Sequence, residues 1–201
     1  MRNVRAAILI AALLPFCTSL GLHAEHVDVG PAPPPNAERP PEPDGYRMDE
    51  YRKPVPATLK GATVLTSDKA GDLWTKKAAI FVDVYPRAPK PPNLPKGTFW
   101  REPIHLTIEN ATWLANVGYG VISPQTDDYF KSNLEKLTAG DKSKAVVFYC
   151  LRDCWMSWNA AKRALTYGYT KVMWYPDGTD GWQEAGLPVV QVTPVPQEPQ
   201  P

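Results

Sequence analysis

Ala145-Val146-Val147-Phe148-Tyr149-Cys150-Leu151-Arg152-Asp153-Cys154-Trp155 is the stretch on which the reading of this chain turns. An apolar, β-favouring run ends in a cysteine, and a second cysteine follows four positions later. Trp158-Asn159-Ala160-Ala161-Lys162-Arg163-Ala164-Leu165 then has the composition and apolar spacing of a helix. A thiol at the carboxyl end of a strand, just ahead of a helix, faces the partial positive charge of unpaired backbone N–H groups. That position favours the thiolate, the form that attacks sulfur, carbon or metal. Chemistry is therefore expected here, with Cys150 as the attacking thiol in a cradle of N–H groups and Cys154 as the thiol of the second step.

Working outward, strand and helix signals alternate. Residues 62–65 are a short β-like run, and Ser67 or Asp68 is placed to cap a helix through Leu73 and Trp74. Residues 79–84 carry a buried-strand pattern with Asp83 near its end, and residues 112–114 are a weaker strand ahead of Gly118-Tyr119-Gly120. Thr126 or Asp127 is placed to cap a helix with Phe130, Leu134 and Leu137 at i, i+4 and i+7. After the Cys150 strand and a helix over 155–167 come strands at 171–175 and 188–192. Such alternation predicts an α/β fold, a central and mainly parallel sheet with helices on both faces. Ligand crevices in such sheets lie at the carboxyl ends of the strands, where Asp83 and Cys150 both fall.

The ends read differently. Arg2 and Arg5, an apolar run over 6–14 and Leu22-His23-Ala24 before Glu25 make residues 1–24 a secretory signal peptide, which takes Cys17 with it. Pro15, Thr18 and Ser19 break the run before the roughly 20 residues that a membrane span needs. Cys150 and Cys154 are then an even pair in an oxidising compartment. Without Arg2 and Arg5 the formal charge of +1 becomes about −1, which points to neither nucleic acid nor an anionic membrane surface. Residues 25–56 form a proline-rich tether, with Tyr46, Met48 and Tyr51 as docking points, and 193–201 a flexible tail. The domain proper is expected over 57–192.

The order of elements from about residue 63 to 190 resembles the rhodanese-like domain. The strand into Cys150, the paired alanines Ala160-Ala161, Gly168-Tyr169, Asp177-Gly178-Thr179-Asp180-Gly181-Trp182 and Ala185-Gly186-Leu187-Pro188-Val189 all carry the likeness. Cys150-Leu151-Arg152-Asp153-Cys154-Trp155, with residues 113–120 and 175–182, is similar to a narrower group named for a CXXCW motif and for PQQ-dependent catabolism. That resemblance implies a periplasmic location and a supporting role for a quinoprotein alcohol dehydrogenase or its accessory proteins. Ordinary rhodaneses carry an arginine in the active loop; here Met156 stands in its place, Ser157 takes the serine position and Cys154 is added. Arginine holds a sulfur oxyanion bidentately and methionine cannot, which puts thiosulfate sulfur transfer in question. Arg152 is the residue expected to substitute from another angle.

Three readings of the cysteine pair stay open: redox or persulfide exchange, an inert disulfide, and a metal site. Positions i and i+4 bring two Cα atoms into the roughly 4.4–6.8 Å disulfide window if the turn is near-helical. Copper(I) on Cys150, Cys154 and Met156 is the metal option, but no ligand spacing accompanies it. Around the thiols, Asp83 is expected to hold the loop or Arg152, while Asp177 and Asp180 bracket a glycine-rich turn. Asp153, Ser157 and Trp182 are further loop supports. Trp155 and Trp158, three apart, are expected on one side of the helix as core, or as a wall that shields the sulfur or receives a partner. The different-class alternative is a non-catalytic binding module whose disulfide is structural.

Overall fold

The computed structural model describes residues 38–87, 90–91 and 93–197. The signal segment, the first part of the tether and residues 198–201 lie outside the described residues.

Five strands form a wholly parallel sheet: β1 (Thr63–Val64), β2 (Ile80–Asp83), β4 (Thr112–Trp113), β5 (Val146–Tyr149) and β6 (Val172–Tyr175). Their order is β1-β6-β5-β2-β4, which puts β5 at the centre. Both faces of β5 are buried, as a parallel sheet covered by helices requires. Val146 and Phe148 point into one apolar cluster, Val147 and Tyr149 into the other. Helices α2 (Pro124–Thr138) and α3 (Trp155–Thr166) cover the first face; α1 (Ser67–Thr75) and α4 (Gly178–Glu184) cover the second. The expected α/β architecture is present.

Four local expectations are corrected. Residues 189–192 do not extend the main sheet. As β7 (Val189–Val192) they pair antiparallel with β3 (His105–Ile108), a strand too short for its alternation to stand out in the sequence. The caps lie upstream of the residues expected. Thr66 Oγ1 accepts from Lys69 N at α1, and Ser123 Oγ accepts from Thr126 N at α2, with Pro124 in the first turn. Proline there lacks only an N–H that the helix would leave unpaired anyway. The glycine-rich turn at Asp177–Asp180 is the start of α4 rather than a loop.

Residues 38–56 contain no helix or strand, yet they lie against α3 as a strap. Asn159, fully buried on α3, makes both backbone bonds of Arg47: its Oδ1 accepts from Arg47 N at 2.9 Å and its Nδ2 donates to Arg47 O at 2.8 Å. The same Nδ2 donates to Gly118 O at 2.9 Å, which joins strap, helix and the 113–120 stretch. Lys162 Nζ donates to the carbonyls of Pro43, Asp44 and Gly45. Val55 and Leu59 are buried in the α3-side core. At the other end, Val195 N donates to Trp113 O and Val195 O accepts from Tyr129 Oη.

Asn159→Ala should therefore release the strap as well as destabilise the fold. Three hydrogen bonds in buried surroundings, at roughly 0.5–1.5 kcal/mol each, predict a loss of about 2–3 kcal/mol. Limited trypsin digestion should show faster cleavage after Arg47 in the variant. An unchanged digestion pattern would mean that the strap is held without Asn159.

Candidate functional site

The loop between β5 and α3 is short and tightly determined. Tyr149 ends β5 level with Asp83 of β2 and Tyr175 of β6, so Cys150 emerges at the carboxyl edge of the sheet. Asp153 adopts φ +50°, a left-handed conformation that aspartate tolerates better than most residues. That reversal brings the chain back so that Cys154 becomes the N-cap of α3. Cys150 and Cys154 are joined in a disulfide, with Cα atoms 6.0 Å apart, inside the window expected from their spacing. Both are buried, at 1% and 0% exposure. In this form neither sulfur is a thiolate ligand for copper, and Met156 is core; among the described residues no cluster of three His, Cys, Asp or Glu side chains is placed to hold a metal.

Three N–H groups of the expected cradle are already paired. Arg152 N donates to Asp180 Oδ2 at 3.0 Å, Asp153 N to Pro176 O at 3.1 Å, and Trp155 N to Tyr51 O of the strap at 2.9 Å. These three donors tie the loop to α4, to the turn before it and to the strap. Gly178, the first residue of α4, lets that helix come so close that Thr179 N donates to Cys150 O at 3.0 Å.

Arg152 does not face the sulfur as an oxyanion holder. Its guanidinium is paired with both carboxylate oxygens of Glu184, and its Nε lies 3.7 Å from Asp177 Oδ1. The Glu184 pairing pushes its pKa above the usual arginine value. Asp177 is half-exposed and makes no side-chain cap. Asp153, nearly buried, meets Arg39 of the strap at 3.5 Å. Ser157 ties the loop to the sheet: its Oγ donates to Cys154 O at 2.8 Å and accepts from Trp174 Nε1 at 3.0 Å. Trp182 lies on the opposite face of the sheet, edge-on to Trp74, Phe81 and Tyr175. It is core of the apolar cluster on the α1 and α4 face, while both cysteines belong to the other cluster.

Trp155 and Trp158 do share one side of α3, in an edge-to-face pair with ring centroids 5.4 Å apart. What they meet is this chain's own strap and the residues just after it. Trp155 Nε1 donates to Pro54 O, Trp158 Nε1 to Thr58 O, and the Arg47 guanidinium lies over the Trp155 ring at 5.4 Å.

Asp83 is fully buried but serves neither the cysteine loop nor Arg152. Its Oδ2 pairs with His105 Nε2 at 2.7 Å and accepts from Thr107 Oγ1 at 2.6 Å, while Oδ1 accepts from Tyr85 N at 2.8 Å. A buried carboxylate needs such partners, and both side-chain partners come from β3, the strand the sequence hid. His105 is sandwiched between Tyr85 and Trp113.

One residue at this site had no sequence signal at all. Arg52 of the strap forms an isolated antiparallel bridge with Cys154, and it is only 8% exposed. A single arginine in a proline-rich segment carries no pattern; only the docking of the strap places it beside a cysteine.

Residues 101–185 match the family model of the Rhodanese-like domain. The match runs from just before β3 to just after α4 and so contains the whole cysteine loop; the strap, β1, α1 and β2 lie outside it. No curated protein matches the chain. Among solved structures, an uncharacterized protein from Saccharomyces cerevisiae aligns at 17% identity and a TM-score of 0.37, over 62% of this chain and 93% of its own. The polysulfide-sulfur transferase homodimer from Wolinella succinogenes aligns at 18% identity and 0.39, over 65% and 79%. An EanB variant in complex with hercynine aligns at 19% identity and 0.42, over 72% of this chain but 34% of its own. The matched residues, with the five-stranded parallel sheet, give a rhodanese-like α/β fold.

Proposed function

We propose that this is an exported thiol protein that exchanges disulfides or sulfane sulfur through Cys150 and Cys154. The observation that carries the reading is the cysteine pair itself. It is joined across the junction of the central strand and α3, within the residues that match a rhodanese-like domain. In the dithiol form, Cys150 attacks a partner disulfide and releases one partner thiolate. Cys154 then attacks the Cys150 sulfur, releases the second thiolate and restores the internal disulfide, so two electrons pass to the partner. With a persulfide donor, Cys150 takes the sulfane sulfur and the donor leaves as a thiolate. Attack by Cys154 on the inner sulfur then releases hydrosulfide.

Cys154→Ser should trap a covalent adduct on Cys150, because attack survives and resolution does not; Cys150→Ser should form none. Mass spectrometry after incubation with a small disulfide or a persulfide donor reads both. Equal labelling of the two variants would reverse the assigned order.

A second reading has one observation in its favour. Both sulfurs are buried, as suits a structural disulfide in a binding module that delivers a partner, cofactor or metal. Alkylation of the freshly isolated protein separates the two: a pair that cannot be reduced without unfolding favours the module. The periplasmic location is proposed from the signal-like residues 1–24. Service to a PQQ-dependent alcohol dehydrogenase is proposed from the resemblance of the loop. Growth of a deletion strain on alcohols, with secretion of the processed chain, tests these together. Among the described residues no helix is long and apolar enough to cross a membrane.

A further inference from the structure

Arg52 is buried and under-paired. Its Nε and Nη1 have no hydrogen-bond partner. Nη2 is 3.9 Å from Asp180 Oδ2, beyond hydrogen-bond length, and that oxygen already accepts from Arg152 N. Burial pulls the Arg52 pKa below the usual arginine value; Asp180, Tyr85 and Asp153 oppose that pull, while Arg152 adds to it. A guanidinium held out of water with idle donors is costly unless an anion completes it. Asp180 and Asp153 act on it only through their charge and leave Nε and Nη1 without a hydrogen bond; the disulfide is a latent source of a further anion. In an antiparallel bridge, directly opposed residues project their side chains to the same face, with Cβ atoms about 4.5–5.5 Å apart. Arg52 and Cys154 are such a pair.

We infer that Arg52 is the cation that holds the Cys154 sulfur as an anion once the disulfide opens, so that the strap is part of the thiol site. The inference rests on the exchange reading above and assigns it a leaving group. When an external thiolate attacks Cys150 Sγ, a bond forms between them and the Cys150–Cys154 bond breaks. The electron pair stays on Cys154 Sγ, where the idle Arg52 donors receive it. A stabilised leaving thiolate departs faster and lowers the free energy of the reduced state. Cys154 also gains from its place as N-cap of the 12-residue α3. Arg52 is a positioning residue in this scheme, since it acts through the sulfur.

The test is the dithiol–disulfide equilibrium of the full chain in glutathione buffers, for wild type, Arg52→Gln and Arg52→Lys. Arg52→Gln should favour the disulfide by at least about tenfold, equivalent to about 30 mV, and should slow reduction by a small thiol. Arg52→Lys should recover part of both. A purely structural arginine would stabilise oxidised and reduced forms alike and leave the equilibrium where it was; an unchanged equilibrium in folded Arg52→Gln overturns the inference and leaves the exchange reading standing. If no form can be reduced while folded, both fall. Should Arg52→Gln not fold, Cys150→Ser leaves Cys154 to titrate alone. Its thiolate absorbance at 240 nm should have a midpoint clearly below the ordinary thiol value of about 8.5, against Asp180 and Asp153, whose charges oppose it. A midpoint at or above that value overturns the inference.

Discussion

Asp83→Ala should cost the folded protein about 3–5 kcal/mol, the range for removing one partner of a buried charged network. Asp83 stands at the carboxyl end of β2 with no exposed surface, and its two oxygens take His105 Nε2, Thr107 Oγ1 and Tyr85 N. Thr107 Oγ1 is also hydrogen-bonded to Tyr149 Oη, the last residue of the strand that leads to Cys150. The carboxylate thus links three pieces of chain that are separate in sequence: the end of β2, β3 and the end of β5. Its loss strands the Tyr85 N–H and the His105 ring, whose Nδ1 already lacks a partner, in apolar surroundings. At roughly 2–4 °C per kcal/mol for a chain of this size, the unfolding midpoint should fall by about 10 °C. Asp83→Asn keeps the shape and one acceptor and should lose less. Urea unfolding measures both, and an alanine variant within about 1 kcal/mol of wild type would show that the network contributes only position.

Gly178→Ala should be nearly as damaging, and its damage should appear at the disulfide. Gly178 has φ +52°, and a Cβ there would lie 2.3 Å from Cys150 O and 2.7 Å from Leu151 C. Those are backbone atoms at the root of the loop and cannot swing aside as a side-chain tip can. The left-handed conformation costs a non-glycine residue about 1–2 kcal/mol, and the forced displacement about 1–3 kcal/mol more. To make room, α4 must withdraw from the loop, which breaks the bond from Thr179 N to Cys150 O. The variant should unfold at lower urea and its disulfide should be reduced faster by dithiothreitol. Wild-type values of both would mean that the close approach of α4 is not what holds the loop closed.

The β5–loop–α3 unit was legible because the relevant signals are local. A run of buried residues at strand length, a spacing of four between cysteines and helical apolar spacing after them each state their meaning within a few residues. The caps lie a few positions upstream of the expected residues because Thr66, Ser67 and Asp68, like Ser123, Thr126 and Asp127, are all residue types that cap, and only backbone geometry chooses among them. Helix α4 was hidden by Gly178 and Gly181, poor helix formers that are needed because the helix packs so closely. A Cβ on Gly181 would sit 3.0 Å from Ser67 Oγ of α1 and 3.0 Å from Tyr175 Oη of β6. Strand β3 was hidden by its length and by the proline-rich stretch before it; its meaning comes from its pairing with β7, more than 80 residues away.

Local pattern was enough for the alternating α/β order, the strand that runs into Cys150, the cysteine pair at its carboxyl end and a disulfide within reach of a five-residue loop; that this strand lies at the centre of the sheet came from the strand order. What surrounds that pair depends on packing between distant segments. Asp83 went to His105, Arg152 went to Glu184, the two tryptophans of α3 met the strap, and Arg52 arrived beside Cys154. The division has a physical cause. Backbone periodicity is written in neighbouring residues, whereas the partner of a buried charge is chosen by whichever segments packing brings within about 3 Å, however far apart they lie in the chain.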